Sequence, residues 1–236
     1  MQRATELFDA PQRKRVEAAV AAVEGQTSCE VVPVVATASG RYDRAEDLVG
    51  LWLAVGAAVG CWMMLPRPTH VSGDWSQASS IWSLLALVTA MVVAFVLGAT
   101  AASRIGWLRR LFTPRVEMLE EVTSKARATF FDKRVHHTKS GSGLLVFISL
   151  YERMAVVLGD ERVLETVGQT VLDELCVDLT QRLRTSGPAE ALPEFLGEVG
   201  RTLAKDLPAS ETPADELSNT LILIDEISGR GQNQYG

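Results

Sequence analysis

Two long apolar segments without a single charged residue constrain this chain of 236 residues more than any other feature. The first is Leu48–Leu65 and the second is Ile81–Ala102. Each is long enough to cross the roughly 30 Å hydrocarbon core of a bilayer as a helix, at about 1.5 Å per residue. A short connector with prolines and a glycine separates the two segments. The sequence therefore predicts a transmembrane helical hairpin over residues 48–103.

Basic residues flank the outer ends of this pair and are nearly absent from the connector. Arg41 and Arg44 precede the first segment, four arginines follow the second within residues 104–115, and Arg67 alone lies between them. Because Lys and Arg are in excess on the cytoplasmic side of a membrane, we expect two spans with both termini in the cytoplasm. The alternative is a buried helical hairpin of a soluble protein. Tryptophans near the segment ends disfavour it, since tryptophan prefers the membrane interface.

The stretch that follows the second segment mixes basic and bulky apolar residues. Arg104, Arg109 and Arg110 alternate there with isoleucine, tryptophan and leucine. Such a stretch could lie along the membrane surface with its arginines near anionic headgroups. It could equally be the ordinary basic flank of a membrane span. Both interpretations stay open at this point.

Charge and cysteine content exclude several classes of protein. The net charge is −6, which disfavours nucleic-acid binding. Cys29, Cys61 and Cys176 have no CxxC spacing, so we expect core cysteines and no disulfide framework. Residues 1–24 are charged and amphipathic and contain no apolar core, so we expect no cleavable signal peptide.

The residues before the first segment predict a helix, a strand and a second helix. Asp9 and Gln12 form a capping-box pattern, and the helix they begin is expected to end near Glu24. The run from Cys29 to Ala36 predicts a strand with both faces covered, with Pro33 at an edge or a bulge. The next helix is expected to start near Tyr42 and to continue without a break into the first apolar segment.

The residues after the second segment predict a helix, a β-hairpin and further helices. The helix is expected to begin at Thr113-Pro114, and the hairpin to pair Leu144–Leu150 with Met154–Leu158. One helix of about six turns is then expected to carry an apolar stripe from Leu164 to Leu183, followed by a helix that ends at Pro208. Residues 221–224 form a short apolar run, strand or coil, and residues 226–236 are expected to be a disordered tail.

Neither soluble flank can fold alone, because an isolated strand cannot bury both of its faces. We therefore expect residues 1–47 and 104–225 to form one α/β domain. Its fold class would be a small mixed β-sheet covered by helices, interrupted by the two-helix hairpin of residues 48–103.

Two stretches and the order of elements resemble the TPM domain family. The stretches are Glu24–Pro33 (EGQTSCEVVP) and Thr138–Arg153 (TKSGSGLLVFISLYER). The chain is similar to a bacterial branch of that family in which two membrane helices interrupt the domain. The resemblance implies that the soluble flanks form a compact α/β sandwich with a small mixed sheet. We expect the chain to lie in the bacterial inner (plasma) membrane. It implies no settled activity, because members are described as weak phosphatases and as assembly or repair factors.

Carboxylates offer the one constellation in the sequence that could support metal chemistry. Asp43 and Asp47 lie one helical turn apart after the first strand, and Asp160 and Glu161 follow the β-hairpin. If both pairs met at one sheet edge, they could bind Ca²⁺ or Mg²⁺, and the TPM resemblance implies Ca²⁺ at acidic residues near such an edge. The alternative is that these residues are ordinary helix caps.

No catalytic residue can be assigned from the sequence. The chain has neither a GxxxxGK[ST] loop nor a CxxxxxR loop, and His136 and His137 would point about 100° apart on a helix. We therefore expect a non-enzymatic factor that binds another membrane protein in assembly or quality control. The alternative is a weak metal-dependent, acid-phosphatase-like hydrolase.

Overall fold

The structure is a computed structural model that describes residues 3–40, 43–64, 78–105, 113–136, 142–209 and 219–225. Its residues divide into two compact units. Residues 1–41 and 116–236 form the first unit, which we call the sheet domain. Residues 42–115 form the second, which we call the helical hairpin. The expected tail of residues 226–236 lies outside the described residues.

The described part of the sheet domain contains one four-stranded mixed sheet. Its strands are β1 (Glu30–Ala36), β2 (Gly143–Ser149), β3 (Met154–Gly159) and β4 (Ile222–Ile224). Their spatial order is β3-β2-β1-β4. Both β2 and β4 run parallel to β1, whereas β3 runs antiparallel to β2. The mixed α/β class that the sequence predicts is therefore confirmed.

Helices cover the sheet on both faces, and two longer ones form the hairpin. In chain order the helices are α1 (Ala4–Leu7), α2 (Ala10–Glu24), α3 (Asp43–Met64), α4 (Ala78–Arg104), α5 (Arg115–Asp132), α6 (Glu161–Thr166), α7 (Gln169–Thr185) and α8 (Pro188–Leu203). The helix start predicted at Asp9 is confirmed. The Asp9 side chain accepts a hydrogen bond from Gln12 N, and Gln12 Oε1 accepts one from Asp9 N, each at 2.8 Å.

Side chains of β1 and β2 alternate between two apolar clusters, one on each face of the sheet. On one face Val31 and Val35 pack with apolar residues of α2, α7 and α8. On the other face Val32 and Val34 pack with residues of α5 that include Val122. Every residue of β1 and β2 is buried, which confirms the prediction that helices cover both faces of the first strand.

Pro33 lies in the middle of β1 and has no N–H group to donate. Its nitrogen faces a side of β1 on which no described strand pairs with this residue. Glu30 N donates to Ser142 O beside β2, and Thr37 N donates to Ile224 O beside β4. Since the N–H groups along a strand alternate in direction, the nitrogen of Pro33 faces the β4 side. β4 pairs only with Val34–Ala36. The edge position predicted for Pro33 is therefore correct for that side of the strand.

The single long helix predicted from Leu164 to Leu183 is wrong. The structure has α6 and α7 there, separated at Val167 and Gly168. Gly168 has φ of +87°, a left-handed conformation that glycine adopts without steric cost. The apolar stripe runs through both helices, which is why periodicity alone did not reveal the break. The short run near residue 221 forms β4, so its strand alternative is correct.

The helical hairpin consists of α3 and α4. Residues Glu46–Met64 and Ile81–Arg104 are long and apolar enough to cross a membrane, and only 17% and 6% of them, respectively, are buried. The two helices pack closely where two glycines face each other. A Cβ atom built on Gly98 would lie 2.9 Å from the Cα of Gly50 and 2.8 Å from Leu53 Cδ1. Small residues thus allow close helix contact, as in many membrane helix pairs.

We predict that Gly143→Ala destabilises the sheet domain. A Cβ atom at this first residue of β2 would lie 2.0 Å from the carbonyl oxygen of Val135, so the backbone would have to shift. The loss should be about 1–3 kcal/mol of unfolding free energy, or more. The matched control is Gly197→Ala in α8, where a Cβ meets nothing within 4 Å and should add about 0.5–1 kcal/mol.

Urea unfolding of the full chain in detergent micelles measures both changes. Equal stability of the Gly143→Ala variant and the unsubstituted chain would show that the tight contact does not hold in solution.

Candidate functional site

The carboxyl ends of the parallel strands β1 and β2 carry a cluster of buried polar side chains. Ser39 follows the end of β1, Ser149 is the last residue of β2, and Glu152 lies at the tip of the β2–β3 hairpin. All three are almost fully buried, and Glu152 is only 1% exposed. Because ligands in parallel sheets bind beyond the carboxyl ends of the strands, this edge is the first place to look for function.

Glu152 joins the hairpin to the chain that leaves β1. Its Oε1 atom accepts hydrogen bonds from Ser39 N at 2.9 Å and from Gly40 N at 3.2 Å. Its Oε2 atom accepts a hydrogen bond from Ser149 Oγ. Ser39 Oγ in turn donates to Ser149 Oγ at 2.8 Å. One carboxylate therefore holds the start of the loop that leads to α3.

The order hydroxyl, hydroxyl, carboxylate resembles a proton relay, but its burial argues against a reaction at Ser39. Ser39 is 2% exposed and Ser149 is fully buried, so a substrate could not approach either hydroxyl. Each oxygen of Glu152 also has a protein donor. Hydrogen bonds to a buried charged group are among the stronger stabilising contacts in proteins. The geometry fits a structural clamp on the loop that follows β1.

A second carboxylate closes the β4 side of the same edge. Asp225 follows β4 and accepts hydrogen bonds from the hydroxyls of Thr5 and Thr37, the latter at 2.8 Å. Thr37 Oγ1 accepts a further bond from Ala4 N at 2.8 Å. The hydrogen bond from Thr5 is the main reason that the pKa of Asp225 lies below its usual value. Asp225 thus ties the amino-terminal helix α1 to β1 and β4.

The predicted site residues Asp160 and Glu161 lie at the opposite, amino edge of the parallel strands. Asp160 accepts hydrogen bonds from Gly143 N at 2.8 Å and Val163 N at 2.9 Å, one at each carboxylate oxygen. It is therefore the N-cap of α6 and also holds the start of β2. Burial raises its pKa, and the two backbone donors act in the opposite direction. Glu161 is exposed in the first turn of α6.

The other predicted site residues lie in the helical hairpin. Asp43 is the first residue of α3, and Asp47 is exposed in the next turn. The chain leaves the sheet domain at the carboxyl end of β1, on its way to α3. Asp160 lies at the other edge of the sheet, by the amino ends of the parallel strands. No three His, Cys, Asp or Glu residues among those described are grouped to hold a metal ion. Each oxygen of Asp160 accepts a backbone hydrogen bond, which matches the helix-cap alternative for this residue.

The predicted membrane-surface residues fall partly outside the described chain. Arg104 is the last residue of α4 and is exposed. Arg109 and Arg110 lie outside the described residues, as does His137. The interpretation of this stretch therefore stays a prediction.

The three cysteines are free. Cys29 is buried at the start of β1, and burial raises the pKa of its thiol. Cys176 Sγ donates to Ala155 O at 3.2 Å on the outer edge of β3, and burial raises its pKa as well. A raised pKa favours the protonated thiol, which is the unreactive form typical of buried structural cysteines.

Glu152 is the buried polar residue of this edge that sequence reasoning did not find. Nothing in the local sequence indicates that a carboxylate at a hairpin tip turns inward. One signal in the sequence could have indicated this contact. Ser149 and Glu152 lie next to the turn that ends β2, and if β2 pairs parallel to β1, this turn lies beside the carboxyl end of β1.

We predict that Glu152→Ala destabilises the sheet domain by about 1–3 kcal/mol, because three buried donors would lose their acceptor. The matched control is Glu161→Ala, an exposed residue whose removal should change the unfolding free energy by less than about 0.5 kcal/mol. Hydrogen exchange of residues 38–40 should also accelerate in the first variant alone. If exchange there were unchanged, Glu152 would not be holding this loop.

We predict a pH dependence that belongs to Asp225. A carboxyl whose pKa is lowered in the folded state stabilises the fold above its unfolded value, 3.8, and loses this contribution as the pH falls through the folded pKa. Asp225→Asn should therefore lower the melting temperature at pH 6, and the difference from the unsubstituted chain should shrink below about pH 4. A difference independent of pH would contradict the assignment.

Comparison with known proteins bears on the fold. No protein-family model and no curated protein matches the chain. The NMR structure of the BA42 protein from the psychrophilic bacterium Bizionia argentinensis is similar, with a TM-score of 0.54 and 14% sequence identity. The match covers 94% of this chain and 99% of that chain. At this identity the likeness shows a shared fold and carries no activity across.

Proposed function

We propose that the chain is an integral membrane protein whose helical hairpin crosses the bilayer twice and whose sheet domain lies on the cytoplasmic side. The observation that carries the proposal is the exposed apolar surface of α3 and α4. Large apolar side chains are exposed along both helices, among them Trp52, Trp82 and Leu97. Soluble proteins rarely expose so large a continuous apolar surface, and a bilayer would cover it.

The distribution of charge supports the orientation. Arginines lie beyond the outer ends of both helices, and the residues between α3 and α4 include Arg67 alone among Lys and Arg. This asymmetry favours cytoplasmic termini in the inner membrane of a bacterium.

The sheet domain, which we propose to be TPM-like, would serve to bind another protein of the same membrane in assembly or quality control. Its support is the short connection in sequence between this domain and the hairpin. Glu152 holds Ser39 and Gly40, and α3 begins only a few residues later, at Asp43. A domain tethered to membrane-spanning helices by so short a connection would meet partners in the same membrane at a high effective concentration.

The alternative function, a weak metal-dependent phosphatase, requires Ca²⁺ or Mg²⁺ at the carboxylates described above. No contact among the described residues favours it over the structural roles of Asp160. Heat on titration of the full chain with either ion, lost in Asp160→Asn, would favour this alternative.

We predict the topology in intact cells from labelling of single added cysteines. Ser72→Cys, between the two helices, should react with a membrane-impermeant maleimide added outside. Glu165→Cys, exposed on α6, should react only after the cells are opened. The chain with its three native cysteines gives the background.

Two results would overturn the proposal. One is labelling of Glu165→Cys from outside intact cells, which would reverse the orientation. The other is release of the chain from membranes by alkaline carbonate, which removes peripheral proteins but leaves spanning helices in place.

A further inference from the structure

We propose that Cys176 of α7 closes the outer edge of β3 and so prevents the sheet from pairing with a β-strand of a second copy of this chain. All of the residues concerned belong to the sheet domain. The inference concerns association between sheet domains and does not rest on the proposed membrane function.

The first argument is that β3 is an edge strand without protection of its own. It is the last strand in the order β3-β2-β1-β4, so one of its sides faces no described strand. It contains neither a charged residue nor a proline within its sequence, MAVVLG. Charged residues, prolines and very short strands are the usual features that keep a sheet edge from pairing with another chain. The other edge strand, β4, is only three residues long.

The second argument is the direction of the backbone groups of Ala155 and Val157. Asp160 N donates to Gly143 O, on the β2 side of the strand, at 2.9 Å. Because the N–H and C=O groups of successive residues alternate in direction along a strand, those of Ala155 and Val157 point away from β2. An added strand would form its hydrogen bonds to these outward groups.

The third argument is that the thiol of Cys176 occupies the place of a partner strand. Its Sγ donates to Ala155 O at 3.2 Å, and the backbone of Val157 forms a hydrogen bond to the same sulfur. One side chain thus meets an acceptor and a donor two residues apart, as one residue of a parallel partner strand would. Leu172 and Leu175 of α7 pack in the same core cluster as Ala155 and Val157, which holds the helix against this edge.

The fourth argument is that the other incompletely paired strand has the same kind of protection. β4 pairs only with Val34–Ala36, which leaves the β4 side of residues 30–33 without a partner strand among those described. The positions whose backbone nitrogens face this side are 31 and 33. Val31 N donates to Glu24 Oε1 at 3.4 Å, and Pro33 has no N–H. Side chains therefore act on the backbone donors of both open edges.

The test combines two substitutions at this edge. Cys176→Ala removes the sulfur and leaves a good helix former in α7. Val157→Pro removes the outward donor at position 157, and because this N–H points away from β2, the proline leaves the β2–β3 ladder intact. The matched control is Val177→Ala, which shortens the exposed neighbour of Cys176 on α7, a residue that belongs to neither core cluster.

The full chain in detergent micelles is studied by hydrogen exchange and by light scattering. In Cys176→Ala we expect the amide of Val157 to exchange about fivefold faster at low protein concentration, the factor for loss of one hydrogen bond. At high concentration the protein mass per micelle should double, because two chains pair through β3. The double variant Cys176→Ala/Val157→Pro should return to the mass of the unsubstituted chain. Val177→Ala should match the unsubstituted chain in both measurements.

Three results would overturn the inference. Unchanged exchange and unchanged mass in Cys176→Ala would show that the sulfur does not close the edge. A larger mass that persists in the double variant would show that the chains associate through a destabilised core and not through β3. The same larger mass in Val177→Ala would show that the effect does not belong to Cys176. If Cys176→Ala does not fold, Cys176→Val, which keeps the apolar volume and cannot hydrogen-bond, takes its place with the same expected results.

Discussion

The parallel pairing of β1 with β2 is the constraint on which the rest of the structure depends. The two strands match residue for residue from Glu30 opposite Gly143 to Ala36 opposite Ser149, yet the helical hairpin lies between them in the chain. Parallel neighbours always need a long crossover, because the chain must return to the starting edge. Here that crossover contains both apolar helices as well as α5. The insertion therefore occupies a connection that the sheet already requires, and the sheet need not distort to admit it.

Carboxylates secure the sheet where these connections join it. At the carboxyl edge, Glu152 holds the outgoing loop and Asp225 joins α1, β1 and β4. At the amino edge, Asp160 binds the start of β2 and caps α6. Each accepts from backbone N–H groups or hydroxyls that would otherwise lack a partner at the end of a strand. These three acidic residues therefore serve the architecture of the domain.

The elements were largely predictable from the sequence, whereas the contacts between them were not. Apolar runs and capping residues indicated β1, β2, β3, α2 and α5, because burial and helix ends leave local signals. The break at Gly168 was missed because the apolar period continues across it. The inward turn of Glu152 was missed because its donors, Ser39 and Gly40, are more than a hundred residues away in sequence. Long-range hydrogen bonds depend on the pairing of strands, which no local pattern specifies.

Pro33 has a consequence for synthesis in the cell. Translation proceeds at roughly 5–20 residues per second, so β2 leaves the ribosome on the order of 5–20 s after β1. During that interval the apolar run Glu30–Ala36 has no strand to pair with, and such runs readily form intermolecular β-structure. A proline in the middle removes one ladder donor and discourages that association. Its nitrogen faces the side on which β4 pairs only with Val34–Ala36, so the proline that protects the nascent chain interrupts no pairing between the described strands.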